Sequence, residues 1–137
     1  AYIWSALDVL KVERIDHGVQ AFKDSALMQR LAQDRVPLTV CPLSNQKLCV
    51  FPDLKNHNLR QLLVAGLCAT VNSDDPAYFG GYINDNFTQV FAATGMTARH
   101  AYQLASNSFE ASFASEADKR IWQHKLKECF ERFVEYD

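Results

Sequence analysis

Short apolar segments alternate with segments of helical periodicity, and this alternation constrains the fold of the chain more than any other feature. Residues 12–16, 38–41 and 68–72 are short, apolar and bounded by turn residues, which is typical of buried strands. Before the last of them, apolar side chains such as Leu59 and Leu63 recur at the spacing of an amphipathic helix. Strands joined by helices form a parallel sheet with helices on its faces. The sequence therefore predicts an α/β fold.

Local signals mark the ends of the predicted helices. The first helix is predicted over residues 2–11, before the first strand. Asp24 or Ser25 can cap the second helix, and Pro37 closes the connection from it to the second strand. Gly66 helps to end the leucine-rich helix that precedes the third strand.

The chain after the third strand is predicted to be mainly helical. An acidic, glycine-rich loop at residues 73–81 leads to a helix at residues 83–93. Three further helical stretches are predicted to follow, and Ser115 and Asp118 have the spacing of a capping box there. The last helix is predicted to run to about Tyr136.

Three parallel strands are too few to close a barrel, and an open sheet of three strands leaves two unpaired edges. The first predicted helix also has no strand before it. We therefore expect the 137 residues to be a piece of a larger fold, and we expect the exposed sheet edges to favour self-association.

Composition narrows the classes of function. The formal net charge of −2 gives no reason to expect nucleic-acid binding, which needs a basic surface. No apolar run is long enough to span a membrane and no secretory signal is visible, so we expect a cytoplasmic protein. No Cys-x-x-Cys pair occurs, so reduced thiols are predicted rather than a zinc knuckle or a disulfide. The four cysteines are Cys41, Cys49, Cys68 and Cys129.

Polar side chains follow each predicted strand at its carboxyl end. His17 follows the first strand, Ser44 and Asn45 follow the second, and Asp74 and Asp75 follow the third. The carboxyl ends of parallel strands meet on one face of the sheet, and that face holds the active site in such folds. The sequence therefore predicts that these side chains share one site.

Each of these residues also has a structural interpretation. One of the adjacent carboxylates Asp74 and Asp75 could bind a metal while the other accepts a hydrogen bond, but Asp-Asp-Pro is also a common turn sequence. A single histidine such as His17 is commonly a hydrogen-bonded structural residue. Ser44 has no histidine base near it in the sequence, so a serine nucleophile is not predicted. Loop or surface roles are predicted for the other three histidines, which are His57, His100 and His124.

Three motifs in order resemble the last strands of the adenosine and adenine deaminases. They are R-I-D-H-G, then C-P-L-S-N with K-L-C-V-F, and then N-S-D-D-P-A-Y-F-G-G-Y-I. This family has (β/α)8 barrels that act as metal-dependent hydrolases. The resemblance covers residues 1–113 and implies that residues 1–137 are the carboxy-terminal segment of one such barrel domain, with about three βα units and the closing helices. Two segments look more like the adenine deaminases of bacteria and fungi than like the adenosine deaminases. They are the S-N pair and the sequence A-Y-F-G-G-Y-I-N-D-N-F.

The resemblance implies a role for three residues. Asp74 matches the family's aspartate ligand of Zn²⁺, and Asp75 matches the residue that hydrogen-bonds the purine ring. His17 matches the histidine that holds and polarises the zinc-bound hydroxide. The implied reaction is the hydrolytic deamination of adenine to hypoxanthine and ammonia in purine salvage, with adenosine to inosine as the alternative. The implied partner is a small purine.

The chain also departs from the family pattern. The family's H-x-H pair and its H-A-G-E motif, which supply three histidine ligands and a glutamate proton shuttle, do not occur in these residues. One carboxylate cannot hold zinc tightly, so the segment alone is predicted to be inactive. An alternative is a non-catalytic module that binds a purine or a partner chain.

Overall fold

A computed structural model describes residues 2–134 and contains a small parallel sheet. Its strands are β1 (Ile15–Asp16), β2 (Leu38–Val40) and β3 (Ala69–Val71), in that order across the sheet. Both strand pairs are parallel. The predicted sheet is therefore confirmed, although each strand is shorter than predicted because the chain turns into helix or loop as soon as the paired residues end.

The described residues form eight α-helices, and one of them continues directly into a π-helical turn at Ala6–Leu10. The α-helices are α1 (Tyr2–Ser5), α2 (Ser25–Gln33), α3 (Pro42–Lys47), α4 (Leu59–Val64), α5 (Pro76–Phe79), α6 (Ile83–Thr94), α7 (Ala98–Glu110) and α8 (Glu116–Val134). Two 3₁₀ turns lie at Val19–Lys23 and Leu54–Asn56. In the part of the chain that the structure describes, no helix is both long and apolar enough to cross a bilayer.

The predicted helix signals act largely as expected. Asp24 is the N-cap of α2, where its side chain accepts hydrogen bonds from the Leu27 backbone N–H and from Trp4 Nε1. These donors lower the pKa of the Asp24 carboxyl. Gly66 follows α4 with a φ of +83°, a left-handed conformation that glycine adopts without strain.

The closing helices differ from the prediction. The loop predicted at residues 73–81 contains the short helix α5, which begins at Pro76 because proline is already suited to the first turn of a helix. Two helices follow α6 within residues 2–134, not the three that were predicted. The predicted end of the last helix at Tyr136 lies outside the described residues.

The core lies between the sheet and the helices. Leu38 and Val40 of β2 are fully buried against side chains such as Leu31 of α2 and Leu62 of α4. All three residues of β3 are buried, as expected for a parallel strand that is covered on both faces. This packing fixes the carboxyl ends of the strands relative to one another, and those ends carry the polar residues described below.

Candidate functional site

The carboxyl ends of the three strands bring His17 and Asp74 together. Backbone hydrogen bonds continue past the strands, from the His17 N–H to the Thr39 carbonyl at 3.0 Å and from the Asn72 N–H to the Val40 carbonyl at 2.8 Å. His17 Nε2 lies 3.7 Å from Asp74 Oδ2, although 57 positions separate the two residues in the sequence. The predicted convergence of these two side chains is therefore present.

A cavity of about 470 Å³ opens at this point. It is lined by Asp16, His17, Thr39, Cys41, Asn72, Ser73, Asp74 and Ile83. The side chains of His17 and Asp74 are 39% and 29% exposed, so both are accessible to a small molecule without being fully hydrated. Most of these lining residues carry polar side chains, which can hydrogen-bond a polar ligand.

The backbone at both residues is in the left-handed region. His17 and Asp74 each have a φ of +56°, a conformation that non-glycine residues seldom adopt. Gly18 follows with a φ of +73°, and a Cβ atom at Gly18 would lie 2.7 Å from Cδ2 of the buried Leu38. Such strained positions cluster at functional sites, where the surrounding structure holds a side chain in one direction.

Two hydrogen bonds fix the Asp74 carboxylate. The Ser44 hydroxyl donates to Oδ2 at 2.7 Å, and the Asp75 backbone N–H donates to Oδ1 at 2.9 Å. A carboxylate has about four acceptor positions, so these two donors leave capacity for a cation. Ser44 is fully buried and its hydroxyl proton is committed to the carboxylate. Ser44 thus orients Asp74, a contact that sequence reasoning did not identify.

Cys41 completes a group of three potential metal ligands with His17 and Asp74. The Cys41 Sγ and one ligand atom from each of the other two residues lie within 4.8 Å of one another. Burial, together with the nearby charge of Asp74, raises the pKa of the Cys41 thiol to about 12. The thiol is therefore protonated at neutral pH and donates to the Thr39 carbonyl at 3.3 Å. Of these three potential ligands, the hard Asp74 carboxylate is the one that is ready to bind a cation such as Zn²⁺.

Asp75 follows directly but has a different environment. It is exposed and is the N-cap of α5, where Oδ1 accepts a hydrogen bond from the Tyr78 N–H at 3.0 Å. This bond fixes the direction of the carboxylate, and Asp75 is not among the residues that line the cavity. Asp75 therefore remains available to a ligand through its second oxygen, for which the described residues supply no hydrogen-bond donor.

Of the loop or surface role predicted for His57, the loop position is confirmed and the surface position is wrong. His57 lies in the loop before α4, but only 2% of it is exposed, and the Phe51 ring packs on it with ring centroids 4.5 Å apart. Burial lowers the pKa of His57 to about 4. The interior accepts this histidine because both ring nitrogens have hydrogen-bond partners, the Leu59 N–H and the Asn45 side chain. Its position after a 3₁₀ turn gave no periodic signal that could have revealed the burial.

Comparison with known proteins places the chain among deaminases. A family model described as adenosine deaminase matches residues 1–129. A curated adenine deaminase from Albidiferax ferrireducens is 71% identical over 133 residues, which are 97% of this chain and 39% of that protein. The chain thus spans less than half the length of this relative.

Solved structures agree on the fold. A crystal structure of adenine deaminase from Arthrobacter aurescens superposes with a TM-score of 0.92 at 48% identity, over 95% of this chain and 40% of that one. A zinc-bound amidohydrolase from Burkholderia ambifaria superposes with a TM-score of 0.87 at 24% identity, over 98% of this chain and 38% of that one. These neighbours are (β/α)8 barrels, and the three strands with their helices form part of such a barrel, as predicted. By the match over residues 1–129, the chain belongs to the adenosine deaminase family.

Proposed function

We propose that residues 1–137 are the carboxy-terminal segment of the barrel domain of a zinc-dependent adenine deaminase. The observation that carries this proposal is the approach of His17 Nε2 to within 3.7 Å of Asp74 Oδ2 in a cavity at the strand ends. The name of the 71% identical relative favours adenine over adenosine as the substrate. The reaction replaces the amino group of adenine with oxygen from water and releases ammonia.

Asp74 is the zinc ligand in this proposal. Its carboxylate is oriented by Ser44 and by the Asp75 N–H, and it keeps acceptor capacity on the cavity side. Zn²⁺, when bound, makes hydroxide available at neutral pH by lowering the pKa of water to about 7. The remaining ligands and the glutamate that moves the proton have to come from other segments, because H-x-H and H-A-G-E do not occur here.

His17 and Asp75 act on the water and on the substrate. The His17 imidazole faces the cavity beside Asp74 and hydrogen-bonds the attacking oxygen, which stabilises the charge that develops as the purine carbon is attacked. Asp75 accepts a hydrogen bond from the purine ring and so orients that carbon. The fixed direction of the Asp75 carboxylate at the start of α5 supports this positioning role.

The test uses the complete protein that carries these residues. It should release ammonia from adenine much faster than from adenosine and should lose activity when a chelator removes its zinc. Asp74→Asn should lose both zinc and activity. His17→Gln should keep its zinc and lose about 10²–10⁴-fold in kcat.

Two further variants complete the design. Asp75→Asn should chiefly weaken adenine binding, and the exposed His124→Gln should behave as wild type because His124 lies on the outer face of α8. Turnover that survives complete removal of metal would refute the zinc mechanism. A preference for adenosine would refute the assigned substrate.

A further inference from the structure

A chain of three hydrogen bonds runs from the backbone of α4 to His17. The Leu59 backbone N–H donates to His57 Nδ1 at 3.1 Å. His57 Nε2 lies 3.1 Å from Asn45 Oδ1, and Asn45 Nδ2 lies 3.3 Å from His17 Nδ1. This series of hydrogen bonds therefore links the buried start of α4 to the His17 imidazole in the cavity.

The direction of every bond in this chain follows from its first donor. A backbone N–H can only donate, so His57 Nδ1 is an acceptor, and the proton of the neutral His57 ring must be on Nε2. That Nε2–H donates to the Asn45 oxygen, which leaves the Asn45 amide NH₂ to donate to His17 Nδ1. In neutral His17 the ring proton is then on Nε2, the nitrogen that faces Asp74.

The side chains that form these hydrogen bonds are packed in the interior. Asn45 and His57 are each only 2% exposed, and the Phe51 ring packs against His57. Burial keeps the pKa of His57 at about 4, so the ring stays neutral at pH 7 and keeps its single proton. Reversing any bond would leave a buried donor or acceptor without a partner, which is unfavourable in the interior.

We infer that Asn45 and His57 are positioning residues that fix both the ring orientation and the tautomer of His17, so that its Nε2–H points into the cavity beside Asp74. This inference rests on the function proposed above, because the orientation of the His17 ring matters only if His17 acts in that reaction. Neither residue is among those that line the cavity. Both act through His17, in the way that partners of the second ring nitrogen orient histidines at metal sites.

The decisive variant is Asn45→Asp in the complete protein. It keeps the size of the side chain but replaces the NH₂ donor with an acceptor, so the proton of neutral His17 should move to Nδ1. We expect kcat for adenine to fall about 10–100-fold, with KM changed less than about twofold and the zinc content unchanged. Asn56→Asp is the matched control. It makes the same chemical change at an exposed residue that directly precedes His57.

A spectroscopic measurement tests the inference without relying on activity. In protein labelled with ¹⁵N-histidine, the Nδ1 resonance of His17 should have the shift of an unprotonated ring nitrogen, and it should change to that of a protonated one in Asn45→Asp. The His17→Gln variant identifies the resonance by its loss. The measurement on wild-type protein remains decisive even if Asn45→Asp fails to fold.

The outcomes separate this inference from the proposed function. A proton on His17 Nδ1 in the wild-type protein, or wild-type kcat in Asn45→Asp, would overturn the positioning role. If the wild-type protein does not deaminate adenine, the proposed function fails, while the ¹⁵N shifts still decide whether the hydrogen bonds set the tautomer.

Discussion

Acid should destabilise this protein through His57. The ring is buried and neutral, and its pKa of about 4 lies well below the ordinary value of 6.5. Between these two values the unfolded chain binds a proton at His57 and the folded protein does not. The stabilising contribution of neutral His57 is therefore fully present above pH 6.5 and is lost progressively as the pH falls towards 4.

The magnitude follows from the two pKa values. For a folded pKa of about 4 and an unfolded pKa of 6.5, the free energy of unfolding falls by about 1.4 kcal/mol between about pH 8 and about pH 5.5. The full loss, reached below pH 4, is about 3 kcal/mol. Burial is the cause of the shift, so a neutral amide at position 57 should remove this dependence.

The assay is urea unfolding of the complete protein at those two pH values, for wild type, His57→Gln and His124→Gln. Wild type and the control His124→Gln, whose side chain is 72% exposed, should lose about 1.4 kcal/mol more than His57→Gln on acidification. Comparing the acid-induced loss in free energy of unfolding between variants cancels the acid effects that they share, including any loss of metal. If His57→Gln loses as much stability as wild type, the assignment of a neutral, buried His57 is refuted.

Two other substitutions test the site and its support. Gly18→Ala should destabilise the protein by about 1–3 kcal/mol more than Gly66→Ala in urea unfolding, because both have positive φ but only the first puts a Cβ 2.7 Å from buried Leu38. Equal losses of stability in the two variants would show that the Leu38 side chain moves to make room for the added Cβ, which would contradict this reasoning. Ser44→Ala should weaken zinc binding about 10–100-fold in a chelator competition, because Asp74 loses its 2.7 Å hydrogen bond, and an unchanged zinc Kd would contradict that role.

The sequence by itself determined the fold class and the residues that follow the strands at their carboxyl ends. Both depend on short-range patterns, namely the apolar periodicity of strands and helices and the contiguous motifs around His17 and Asp74. The cap at Asp24 and the stop near Gly66 are likewise local, since each acts on backbone groups within a few residues. These features were correctly predicted because nothing distant decides them.

Tertiary structure alone decided how the site is supported. The bond between Ser44 and Asp74 joins residues 30 positions apart, and the contact between Asn45 and His17 joins residues 28 positions apart. No periodicity encodes such pairs, because they form only when parallel strands align their carboxyl ends. The burial of His57 has the same origin: a polar ring is stable in the core only where folding supplies partners for both of its nitrogens.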